Sequence, residues 1–138
     1  MPYRYHCPKC HALLNPNVRV VLVAQHGDDR GIVLMSSQLG DYQVIADKGF
    51  CSAIAPGEAV EFHCPVCTKS LTSPLYPGFA ELVVRSIDHP DEKPCLLRFS
   101  RVSDEHATFL YDGDTVREFG EAAVRFRTNL DVEGDWSW

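Results

Sequence analysis

Apolar and polar positions along this chain are grouped in short bursts bounded by turn residues. "VRVVLVAQ" (18 to 25) is rich in β-branched residues and stops at "HGDDRG", which predicts a strand closed by a tight turn, with "GIVLMSS" (31 to 37) as its hairpin partner. "DYQVIAD" (41 to 47) follows a glycine and stops at Lys48-Gly49. "EAVEFHC" (58 to 64) alternates Ala59, Glu61 and His63 with Val60 and Phe62, the period of a strand with two unlike faces. Further along, "FAELVVRSID" (79 to 88), "CLLRFSRVS" (95 to 103) and "ATFLYDGDTVREF" continue the series, and Asp112-Gly113 is a hairpin signal. "LTSPLYPG" (71 to 78), with two prolines and a glycine, reads as the joint between two halves, 1–75 and 76–130.

One stretch fits two periods. In "TVREFGEAAVRFR", Val116, Phe119, Ala123 and Phe126 keep helical spacing, and Thr115 with Glu118 would make a capping box. Gly120 weakens a helix there, and Val124 and Phe126 alternate with Arg125 and Arg127 as a strand would. The expected fold is mainly β: an antiparallel sheet, a C-terminal β-meander and at most one short helix near the C-terminus. The acidic tail 131–138, with Trp136 and Trp138, reads as mobile.

Size and charge narrow the partners. The 138 residues fit one domain, and 45% hydrophobic with 23% charged residues is the composition of a globular protein. No apolar run approaches the ~20 residues that span a bilayer. Cys7 comes too early to leave room for a secretion signal, so the expected compartment is the cytoplasm, with no membrane partner. A net charge of −6 repels phosphate backbones and disfavours nucleic acid.

The chemistry lies in a phrase written twice. "YHCPKC" (5 to 10) and "FHCPVC" (62 to 67) each give an aromatic residue, a histidine and a Cys-Pro-x-Cys, 57 positions apart. Two intervening residues let the backbone turn so that both sulfurs face one point, and four thiolates from two such turns close a tetrahedral Zn²⁺ site. Cys7, Cys10, Cys64 and Cys67 are therefore the expected metal ligands. Holding them together across the 53 residues between Cys10 and Cys64 adds only ~1 kcal/mol of loop closure relative to a compact site. A structural zinc supplies on the order of 10–16 kcal/mol.

In Cys7, Pro8, Cys10 and Cys64, Pro65, Cys67 the chain resembles the zinc-ribbon class, whose members carry two Cys-x-x-Cys knuckles on β-hairpins. The resemblance covers about a dozen residues. It implies a metal and a β-hairpin setting, in a class that serves transcription, translation, RNA handling and protein interaction. The chain departs from it in two ways: His11 and Thr68, where glycine often follows the second cysteine, and the long insertion between knuckles.

Other uses of these cysteines fit less well. A redox Cys-Pro-x-Cys needs its first sulfur at a helix N-terminus, and Pro16 and Pro74 follow the two motifs too closely for a helix. Iron held by the same four thiolates is the alternative metal. His6 and His63, adjacent to ligand cysteines on alternating backbone, are expected to point away from the metal, and His11 is a weaker candidate still. Cys51 and Cys95 have no partner at ligand spacing and read as core residues.

Catalytic signatures are absent from the sequence: there is no His-Glu-x-x-His, no Gly-x-Ser-x-Gly and no phosphate-binding glycine loop. "SDEH" (103 to 106) reads as a turn, not a triad. The expected role is a structural-zinc module acting in protein interaction or regulation, through a protein partner or a second copy of itself. The alternatives are a nucleic-acid-binding ribbon using Arg98, Arg101, Arg117, Arg125 and Arg127 with Phe99 and Phe126, and a metal-dependent or redox enzyme.

Overall fold

The computed structural model describes residues 3–16, 18–89 and 91–126. The tail 131–138 and Arg127 lie outside the described residues, as do the side chains of Cys51, Arg125 and Phe126. The described chain is mainly β, in two antiparallel sheets. Its strands are β1 (Tyr3–His6), β2 (Val20–His26), β3 (Asp29–Met35), β4 (Val44–Ala46), β5 (Glu61–His63), β6 (Phe79–Ser86), β7 (Cys95–Ser100), β8 (Thr108–Asp112) and β9 (Thr115–Phe119). One sheet runs β1-β6-β7-β8-β9 and the other β4-β3-β2-β5.

The helix falls elsewhere than the sequence suggests. α1 spans Lys48–Ser52, in the middle of the chain, where Asp47 Oδ2 accepts the Phe50 backbone N–H at 3.2 Å and caps the turn. Phe50 is buried against Gly31 of β3, where a Cβ would approach its ring to 3.1 Å. The ambiguous C-terminal stretch divides between both periods: Thr115–Phe119 is strand, and a 3₁₀ turn covers Ala123–Phe126. Gly120, at φ +93°, makes the break between them.

The strand β1 joins residues near the start of the chain to the sheet of β6, pairing Tyr5 with Val84 and His6 with Val83. β5 in turn pairs with β2, setting His63 opposite Val23. Taken from these short strands outward, the sheets have one order: β1-β6-β7-β8 and β5-β2-β3-β4, with β9 as an extra edge. The registers match as well. Ala80 faces Phe99 as Val20 faces Met35, and Leu97 faces Leu110 as Val33 faces Ala46. The chain is thus an internal repeat whose halves have exchanged their first strands.

Alternation along these strands sends Leu22, Ala24 and Val33 from one sheet and Leu82, Val84, Leu97, Phe99 and Leu110 from the other into a common core. The outer faces differ. On the β6–β9 sheet, Phe79, Leu96, Phe109 and Tyr111 are buried beneath Tyr76, Ala122 and Ala123. At the equivalent places on the other sheet, Ile32 and Ile45 are 61% and 50% exposed.

Candidate metal centre

Each Cys-Pro-x-Cys closes the same turn. The backbone N–H of His11 donates to the Cys7 carbonyl and that of Thr68 to the Cys64 carbonyl, both at 2.9 Å. Cys7 N–H donates to Ala12 O and Cys64 N–H to Lys69 O, both at 3.0 Å. His11 and Thr68 carry the turn at φ +66° and +65°, the left-handed region that glycine takes most easily. These are the positions where the sequence departs from the usual knuckle, and the geometry is reached without glycine.

The knuckles also aim their backbone at sulfur. Lys9 and Cys10 N–H point at Cys7 Sγ, at 3.3 and 3.4 Å, and Val66 and Cys67 N–H point at Cys64 Sγ at the same distances. Such donors stabilise negative sulfur, the state a metal requires. Cys7 and Cys64 are fully buried, Cys67 is half-buried and Cys10 is exposed. Without a metal, burial pushes the Cys7 thiol up to about 12, against backbone donors that lower it. Cys64 shifts in the same direction for the same first cause. Cys67, whose largest influence is a backbone hydrogen bond at Lys69, is lowered to about 7.

The two exchanged halves bring all four sulfurs to one place, within 4.8 Å of one another. Cys7 Sγ lies 3.8 Å from Cys67 Sγ and Cys10 Sγ lies 3.7 Å from Cys64 Sγ. Swapping the copies turns one of these distances into the other, as about a two-fold axis. A tetrahedron of Zn–S bonds near 2.3 Å has edges of about 3.8 Å, so the two close pairs already have the spacing of metal-bound sulfurs. The thiol set fits a soft or borderline cation, zinc or iron alike.

The histidines of the repeated phrase serve the turns. His6 Nδ1 lies 3.1 Å from His11 O and His63 Nδ1 lies 3.2 Å from Thr68 O. The cluster consists of cysteines alone among the described residues, with neither His6, His63 nor His11 in it. Cys95 is half-buried and packs on the core. Of the arginines singled out in the sequence, Arg98 is buried beside Glu81. Arg101 Nε donates to Val60 O at 3.0 Å, and Arg117 lies over the Phe119 ring at 5.3 Å. Phe99 faces the inter-sheet core, so it forms no shared platform with Arg98, Arg101 and Arg117.

Sequence reasoning missed the extent of the repeat. Beyond the six-residue phrase, Leu14 N–H donates to Tyr5 O as Leu71 N–H does to Phe62 O. Leu14 O accepts from Val21 as Leu71 O accepts from Glu81. The signal was Leu14 and Leu71 at the same offset as the cysteines, within otherwise unlike segments. Compared with protein-family models, curated proteins and solved structures, the chain gives no match.

Proposed function

We propose that Cys7, Cys10, Cys64 and Cys67 bind one Zn²⁺, and that the protein is a non-catalytic module whose metal holds its two repeats in register for interaction or regulation. The observation that carries the reading is the four-sulfur cluster itself, contributed two and two by segments far apart in sequence. Four thiolates fill a tetrahedral shell and leave no position for a reacting water, which supports a structural role over hydrolysis. Cys7 and Cys64 also lack the helix N-terminus on which Cys-Pro-x-Cys redox centres depend, since each motif is followed by a turn and then an extended segment.

Support for protein interaction over nucleic acid comes from the surface. The net charge is −6, Arg98 is buried in an ion pair, Arg101 is tied to the Val60 carbonyl, and Ile32 and Ile45 present apolar area to solvent where their counterparts Leu96 and Phe109 are covered. The test is elemental analysis with absorption spectroscopy of the purified chain. Zinc is expected at one ion per chain in a colourless protein. Coloured protein with ferric thiolate absorption would replace zinc by iron, and four freely alkylated thiols with no bound metal would overturn the reading.

A further inference from the structure

We propose that the space between the two sheets is a binding site for a small cationic amphiphile, an amine with an apolar body. A cavity of about 460 Å³ lies there, within the range that takes cofactors and drug-sized ligands. Its apolar lining comes from both repeats: Met35, Leu39, Ile54 and Phe62 are partly open to it, over a floor of the buried core residues Val33, Leu97 and Phe99. Phe62 and Phe99 pack on each other within this lining, with ring centroids 5.4 Å apart. Such a wall gains nothing from holding water, because water needs polar partners that these side chains lack.

The mouth has the opposite character, built from residues 36–42 and 100–108. Tyr42 stacks on His106 at 4.4 Å with the rings 9° from parallel, and its hydroxyl lies 2.8 Å from Thr108 Oγ1. Gly120 packs beneath this pair, and a Cβ there would sit 2.6 Å from the Tyr42 hydroxyl. The mouth is therefore braced by contacts from three segments. Its formal charge is acidic: Asp41, Asp104 and Glu105 line it, against Arg101 and His106. Ser100 Oγ donates to Glu105 Oε1 at 2.6 Å, Arg101 Nε donates to the Val60 carbonyl and keeps its charge, and His106 Nδ1 is 3.0 Å from the Glu121 carboxylate, so three lining carboxylates outnumber the one guanidinium. An apolar pocket below an acidic rim selects an apolar body with a positive head and disfavours a fatty acid.

The experiment uses decylamine, decanol and decanoate, each below its micelle concentration, titrated into the metal-loaded full chain and followed by methyl NMR. Saturable shifts at Val33, Leu82 and Leu97 are expected, with decylamine bound about tenfold more tightly than decanoate and decanol between them. No saturable shift with any probe, or decanoate the tightest, overturns the proposal. Leu97→Trp should fill the cavity and abolish binding while the chain still melts cooperatively. If that variant fails to fold, exposed Asp104→Lys decides: it should weaken decylamine and strengthen decanoate, and an unchanged preference overturns the assignment of the head group.

Discussion

Arg98 and Glu81 meet inside the protein, Nε to Oε2 at 2.8 Å, with side chains only 4% and 14% exposed. The guanidinium is held between the rings of Tyr76 and Tyr111, at 4.9 and 4.8 Å, and Ser73 Oγ donates to the same Glu81 oxygen at 2.6 Å. Neighbouring strands place the two residues directly opposite each other. A buried pair of this kind is costly to break by halves, because the remaining charge is stranded.

Arg98→Met is therefore expected to destabilise the fold by about 3–5 kcal/mol, and Glu81→Leu by a comparable amount. The double variant Glu81→Leu/Arg98→Met should recover most of the loss. Urea denaturation of the four proteins measures this, and additive losses would show that the pair is not coupled.

Cys64→Ser removes a buried sulfur from the four-thiol cluster. It should abolish metal retention and lower stability by several kcal/mol, since metal binding energy is folding energy. Cys95→Ser, outside the cluster, should keep one metal per chain. Equal metal content in the two variants would contradict the ligand assignment.

The same site should release its metal as pH falls. The Cys7 thiol, held up to about 12 by burial, is protonated at neutral pH without a metal, so binding must expel protons and acid competes for the sulfur. Metal affinity measured against a chelator should drop steadily below neutrality, and a pH-independent affinity would mean the thiols are not the ligands.

Cys95 acts at the alkaline end. Burial first, then the nearby Asp112 carboxylate, raises its thiol from an ordinary 9.0 to about 11. The fold thus favours the neutral thiol, a contribution fully present below pH 9.0 and lost as pH rises through about 11. Cys95→Ala should flatten the fall in urea midpoint across that window; an unchanged profile would assign the alkaline loss to other groups.

Gly120→Ala is expected to cost more than about 2 kcal/mol, because φ is +93° and the new methyl would run into the His106 carbonyl. Thermal melts test it. A near-wild-type melt would show that the 106–120 contact yields easily.

Much of the fold was legible in the sequence because the information is local. β-branched runs and turn residues marked β2 to β8, β9 stayed between two periods, and the knuckles could be recognised because two residues between cysteines fix a turn. β1 escaped notice: Tyr3–His6 is four residues long, and its pairing with β6 is set by a distant segment. α1 is too short to show a helical period, resting on one Asp47 cap and the burial of Phe50. Arg98 read as a candidate nucleic-acid contact because arginine is seldom buried, and only the assembled Tyr76–Arg98–Tyr111 stack reveals otherwise. The cavity has no local signature, since its walls come from both repeats.

The exchange of first strands fixes an order of events during synthesis. When β1 and its knuckle emerge from the ribosome, their sheet neighbour β6 has not yet been made, and Cys7 and Cys10 have no second pair of sulfurs to close on. Neither half can complete its own sheet. Folding must wait for contacts of long sequence separation, which slows it and leaves unpaired strand edges exposed meanwhile. The nascent first half is therefore the species that a chaperone, or a second unfinished chain, would meet.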